Sequence, residues 1–138
     1  MRLKHYLTEL EDSEQFYKPP KGKVFTKLAK PLTRGKKQEC YENARKEYLA
    51  QKAKGRKAVY WKGTIYGYNK AADKSKFIVP VQHCFVTVGN TVYDSTPFDL
   101  NGREVSAIDY WDEIRYIGQK KIDSDFAQEI STQDYLRM

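Results

Sequence analysis

The stretch Ile78-Val79-Pro80-Val81-Gln82-His83-Cys84-Phe85-Val86-Thr87-Val88, Gly89-Asn90, Thr91-Val92-Tyr93-Asp94-Ser95-Thr96 decides the fold. Two runs rich in β-branched and aromatic residues flank a Gly-Asn pair, which predicts a β-hairpin. With a two-residue turn, Val88 faces Thr91, Phe85 faces Asp94 and His83 faces Thr96. Side chains alternate along a strand, so His83, Phe85, Asp94 and Thr96 share one face. His83 and Asp94 become diagonal neighbours, with Cα atoms roughly 7–8 Å apart. A four-residue loop from Val88 to Thr91 keeps that register; a three-residue loop puts the two residues on opposite faces. The same parity sends Cys84, Val86 and Val88 to the other face, where Cys84 reads as a small buried hydrophobe.

Upstream, Gln38 to about Ala53 is rich in Glu, Ala, Lys, Leu and Arg, with neither Gly nor Pro, and predicts a helix that Gly55 ends. Tyr41, Ala44 and Tyr48 form its apolar stripe. Cys40 falls in its first turn. Unpaired amides there, and the preceding Lys36 and Lys37, favour a thiolate, the competent nucleophile. An imidazolium beside it lowers the thiol pKa further, and a carboxylate orients that imidazole. Cys40, His83 and Asp94 are therefore the candidate catalytic residues. The Cys40 backbone N–H and the Gln38 side chain are candidate oxyanion donors. Asn43, one turn from Cys40, reads first as a structural hydrogen bond. Tyr66 and Tyr68 line either a cleft or the sheet packing. Thr96, opposite His83, reads as its support.

Around this centre, Leu3, Tyr6, Leu7 and Leu10 predict a short N-terminal helix. Lys18 to Lys37 holds eight basic residues and no acidic one, broken by Pro19, Pro20, Gly22, Pro31 and Gly35. It predicts a long basic loop with at most one short element. Ala58 to Tyr68 predicts a strand, Asn69 to Lys76 a loop, Glu113 to Ile117 a strand and Asp125 to Ile130 a last helix. Strands with helices kept apart from them predict an α+β domain. At 138 residues a single domain is expected: residues 1–37 an N-terminal helix and basic loop, residues 38–138 the core.

The net charge of +7 points to acidic partners, either protein or nucleic acid. Two cysteines are too few for a secreted disulfide scaffold. No apolar run approaches a membrane span, and the N-terminus lacks the apolar core of a signal peptide. A cytoplasmic protein with reduced thiols and no membrane association is expected. No cofactor is expected. A metal site on Cys40, His83, Cys84 and Asp94 is disfavoured by the absence of a Cys-x-x-Cys pair.

Four segments also resemble the transglutaminase-like and papain-like cysteine enzymes, and in particular small uncharacterised bacterial and phage proteins. Gln38-Glu39-Cys40-Tyr41-Glu42-Asn43-Ala44 is similar to their nucleophile helix with its Cys-aromatic-x-Asn-Ala signature. Ile65-Tyr66-Gly67-Tyr68 resembles the Tyr-x-Gly-Tyr strand that follows. Pro80 to Val86 resembles Pro-x-x-His-Ala-Trp, with Cys84 in place of Ala and Phe85 in place of Trp. Val92 to Thr96 resembles Val-x-Asp-x-Thr. The resemblance covers residues 38 to 96, with Tyr116-Ile117-Gly118 as a later strand. It implies a papain-like α+β core whose Cys helix packs on a small antiparallel sheet carrying His and Asp. It also implies thiol chemistry on the acyl carbon of a protein or peptide-like substrate, by hydrolysis, deamidation or acyl transfer. The rival expectation is a non-catalytic basic module on the same fold that binds nucleic acid or an acidic protein.

Overall fold

A computed structural model describes residues 21–68, 79–100 and 102–122. The expected N-terminal helix, the 69–76 loop and the 125–130 helix lie outside the described residues. The fold is mixed α+β and mostly sheet. In chain order it runs β1 (Lys23–Phe25), β2 (Lys27–Ala29), α1 (Cys40–Ala53), β3 (Ala58–Tyr68), β4 (Val79–Val88), β5 (Thr91–Tyr93), β6 (Phe98–Leu100), β7 (Arg103–Val105), α2 (Ala107–Tyr110) and β8 (Glu113–Ile122).

Six strands form one sheet in the order β1-β8-β3-β4-β5-β2, and β6 and β7 pair as a separate ribbon. Only Thr26 separates β1 from β2, yet they occupy opposite edges of the six-strand order. Two edges joined by one residue must lie close together, so the sheet curls into a nearly closed, barrel-like shape. The sheet is not wholly antiparallel as expected, because β2 runs parallel to β5. The basic stretch thus supplies both edge strands. Each spans three residues, too short to leave a periodic signal.

The curl creates two apolar layers. Inside it, Phe25, Trp61, Ile65, Phe85, Val92, Ala107 and Tyr116 pack together. Trp61 donates its ring N–H to Thr87 Oγ1 at 2.8 Å, which satisfies a polar atom buried in that layer. On the outer face, α1 lays Ala44 and Tyr48 over Tyr60, Cys84, Val86 and Ile122. The expected stripe is therefore the face that docks, with Tyr41 half-buried at its margin. Strand β3 is central, paired along its length with β4 and β8. Its ladder with β8 shifts between Lys62 and Gly63. At Gly63 a Cβ would lie 1.9 Å from the Ile117 carbonyl oxygen, so only glycine permits that approach.

The β4–β5 hairpin has the register that a two-residue turn dictates: Val88 opposite Thr91, Thr87 opposite Val92, Val86 opposite Tyr93. Gly89 adopts φ +61°, the left-handed conformation such a turn needs. Pairing stops at Tyr93 rather than running on to Thr96. Asp94 Oδ1 accepts the backbone N–H of Thr96 at 3.0 Å, a local bond that bends the chain away from β4. At the other end of the domain β8 runs to Ile122, five residues beyond the expected strand. No helix among the described residues is long and apolar enough to cross a membrane.

Candidate active site

Because β5 stops short, no strand among the described residues covers the β5-side edge of β4 around His83 and Cys84. The first turn of α1 comes down at this point, where its first residue, Cys40, packs against the Cys84 cluster. The expected trio is brought together. His83 Nε2 lies 2.8 Å from Asp94 Oδ2, with both side chains almost wholly buried. The His83 ring also hydrogen-bonds the Cys40 thiol, and with Nε2 engaged by Asp94 that contact falls to Nδ1. Phe98 and Tyr116 hold the imidazole on two sides, at centroid distances of 6.4 and 6.1 Å.

The electrostatics favour a charged pair. Cys40 receives a side-chain hydrogen bond from Cys84, the largest influence on it. Burial opposes the charged form, but hydrogen bonding and charge from His83 and a backbone hydrogen bond from Cys84 prevail. The thiol is lowered to about 4. Burial likewise disfavours charge on His83, yet Asp94 and Cys40 outweigh it and push the imidazole up to about 10. Both shifts favour a thiolate beside an imidazolium over the neutral pair. Lys36 and Lys37, expected to hold the thiolate, are exposed, and the lowering stems instead from Cys84 and His83. Cys84 is fully buried as expected, but parity placed it away from the chemistry. It is instead a direct partner of Cys40, and its own pKa is raised by that hydrogen bond and by burial.

Asn43 is the structural tie that its position suggested, and it joins three segments. Its Oδ1 accepts from Lys36 N at 2.8 Å, and its Nδ2 donates to Lys36 O at 2.7 Å and Thr96 Oγ1 at 3.0 Å. Thr96 therefore supports Asp94, through its backbone N–H, rather than facing His83 across a ladder. Gly35 donates to the Ser95 carbonyl at 3.1 Å, and a Cβ there would lie 2.4 Å from both Asn43 Cγ and Ser95 O. Gln38, exposed, has φ +62°, a conformation uncommon outside glycine. Such strain beside a nucleophile is a feature of functional sites. Tyr66 is buried on β3, and burial raises its pKa. Tyr68 ends β3 opposite Glu113.

Two residues were not singled out for the site by the sequence. Tyr116 is fully buried and donates its hydroxyl to Asp94 Oδ2 at 2.5 Å. Glu47, also fully buried, accepts from Leu32 N at 3.0 Å, Thr33 N at 2.8 Å, Thr33 Oγ1 at 2.7 Å and Gln51 Nε2 at 2.7 Å. It pins the basic segment to α1. Beside Asp94 lies a cleft of about 660 Å³, whose lining includes Lys30, Arg34, Glu104 and Asp109. Among the described residues no group of three or more His, Cys, Asp or Glu side chains is placed to hold a metal ion.

No protein-family model, no curated protein and no solved structure matches this chain.

Proposed function

We propose that the chain is a cysteine-dependent hydrolase or acyltransferase acting on amide or isopeptide bonds, on a core of the papain and transglutaminase kind. The observation that carries the reading is the continuous connection from the Cys40 thiol through the His83 ring to Asp94 Oδ2. A thiolate already paired with an imidazolium needs no separate deprotonation before it attacks.

In this reading the Cys40 sulfur adds to the acyl carbon, and the carbonyl oxygen takes the negative charge. The backbone N–H of Cys40, at the start of α1, and the Gln38 side chain are the proposed donors to that oxygen. His83 gives its proton to the departing amine, the C–N bond breaks and a thioester remains on Cys40. Water, or an acceptor amine, then loses a proton to His83 and attacks the thioester, which returns the thiolate and the imidazolium. Asp94 keeps the imidazole oriented and stabilises its charged form throughout. The exposed Lys21, Lys23, Lys27 and Lys30 favour an acidic protein or peptide as substrate.

The test is an electrophilic acyl probe with mass-spectrometric identification of the adduct. A thioester on Cys40, absent in Cys40→Ala and much slower to form in His83→Ala, is the expected result. On a true substrate Cys40→Ser should lose on the order of a thousandfold or more in rate, because nucleophile and base act as a unit. Labelling that is indifferent to His83 would overturn the reading.

A further inference from the structure

Asp94 Oδ2 is shared. It accepts His83 Nε2–H at 2.8 Å and the Tyr116 hydroxyl at 2.5 Å, while Oδ1 accepts Thr96 N at 3.0 Å. Tyr116 reaches Asp94 from the middle of β8, across the interior of the sheet, and its ring meets His83 and Phe85 edge to face. Nothing in holding the core requires a hydroxyl there; the ring alone fills the space against Phe85 and His83. We propose that Tyr116 is a positioning residue of this site: by donating to the oxygen that receives the His83 proton, its hydroxyl sets how tightly Asp94 holds the imidazolium. The proposal rests on the triad reading above.

The physical argument is one of shared charge. A carboxylate oxygen that already accepts one strong hydrogen bond has less negative charge to offer a second donor. Burial and the nearby Asp94 charge push the Tyr116 phenol well above its ordinary pKa, so it stays protonated and stays a donor. Among the described residues, few other ionisable groups face His83. Cys40 approaches from α1, Asp94 from the segment after β5 and Tyr116 from β8. Strand β3 presents only Gly63 opposite His83, and Lys62 beside it acts on Cys84. Removing the hydroxyl should leave Asp94 pulling harder on His83. The imidazolium then keeps its proton to higher pH and gives it up less readily to a leaving amine.

The experiment is a pH titration of the His83 ring nitrogens by 15N NMR. The chain has two histidines, so His5→Gln leaves His83 as the one imidazole signal. In that background Tyr116→Phe should move the His83 titration upward by about half a unit to one unit. It should also move the alkaline limb of Cys40 alkylation the same way, at an unchanged fold by circular dichroism. Identical titrations with and without the hydroxyl would overturn the proposal. If Tyr116→Phe does not fold, the unaltered protein still decides. The slowly exchanging Tyr116 hydroxyl proton should shift as His83 titrates, and a stationary signal counts against the proposal. Failure of the triad itself reads differently, as a His83→Ala protein whose Cys40 keeps its low-pH reactivity.

Discussion

The Cys40 sulfur is hydrogen-bonded by Cys84 twice, from its thiol and from its backbone. The neighbour on the strand thus acts as a built-in donor pair for the nucleophile. It also divides the two cysteines chemically, one held as a thiolate, the other held protonated and fully buried. Native protein treated with iodoacetamide between pH 5 and 6 should therefore carry label on Cys40 and none on Cys84. An ordinary thiol with a pKa of ~8.5 is almost wholly protonated there. Peptide mapping reads the outcome, and Cys84 should label only after unfolding. Equal labelling of both would mean the nucleophile is misassigned. Cys84→Ala should raise the midpoint of Cys40 alkylation above about 4, since the largest influence lowering it is gone.

The charged pair also links stability to pH. His83 is raised from 6.5 to about 10, so the folded chain binds that proton more tightly than the unfolded one. Its contribution is complete below pH 6.5 and is lost as pH rises through 10. Cys40 is lowered from 9.0 to about 4, so its contribution is complete above pH 9 and is lost as pH falls through 4. Urea unfolding followed from pH 3 to 11 should give the greatest stability at intermediate pH. His83→Ala should flatten the alkaline fall, and an alkaline limb untouched by that substitution would contradict the assignment.

Glu47 offers a test of how the site is held. Replacing it with Ala leaves the part-buried amides of Leu32 and Thr33 and the buried Gln51 side chain without their acceptor. Each orphaned group costs about 1–3 kcal/mol, so Glu47→Ala should lower stability by about 3 kcal/mol or more. Chemical denaturation measures that loss. Glu47→Gln keeps one oxygen, an acceptor for either the Leu32 or the Thr33 amide, and should fall between Ala and the native chain.

Charge on the basic segment should govern encounter rather than chemistry. Changing Lys21, Lys23, Lys27 and Lys30 to Gln should weaken binding of an acidic partner and flatten its salt dependence, while alkylation of Cys40 keeps its pH profile. Unchanged affinity and unchanged salt dependence would remove that role.

Much of this was legible in the sequence, for local reasons. The Gly89-Asn90 turn set the register as far as Tyr93, and Asp94, the next residue, meets His83 just past the end of that ladder. Helix α1 followed from its composition, and strand β3 from its run of aromatic and β-branched residues. What escaped depended on distant pairing. The strands β1 and β2 carry three residues each and are defined only by their partners β8 and β5. The ribbon β6–β7 and the four-residue α2 are equally short. Tyr116 was readable only as part of a strand, and Cys84 as a buried residue. Their contacts with Asp94 and Cys40 arise from the curl of the sheet and the landing point of α1, which no local pattern encodes.

The single-residue link at Thr26 has a consequence for how this chain reaches its native state. Strand β1 can pair only with β8, the last strand described, whereas β2 must find β5. The first two strands described thus depend on partners that follow much later in the chain. Their loop-closure entropy must be met before any ladder bond forms, which raises contact order and slows folding. On a ribosome β1 and β2 would wait for those partners while the β3–β4 hairpin assembles. Tyr116 arrives with β8 as well, so the His83–Asp94 pair acquires its third partner only when that strand docks.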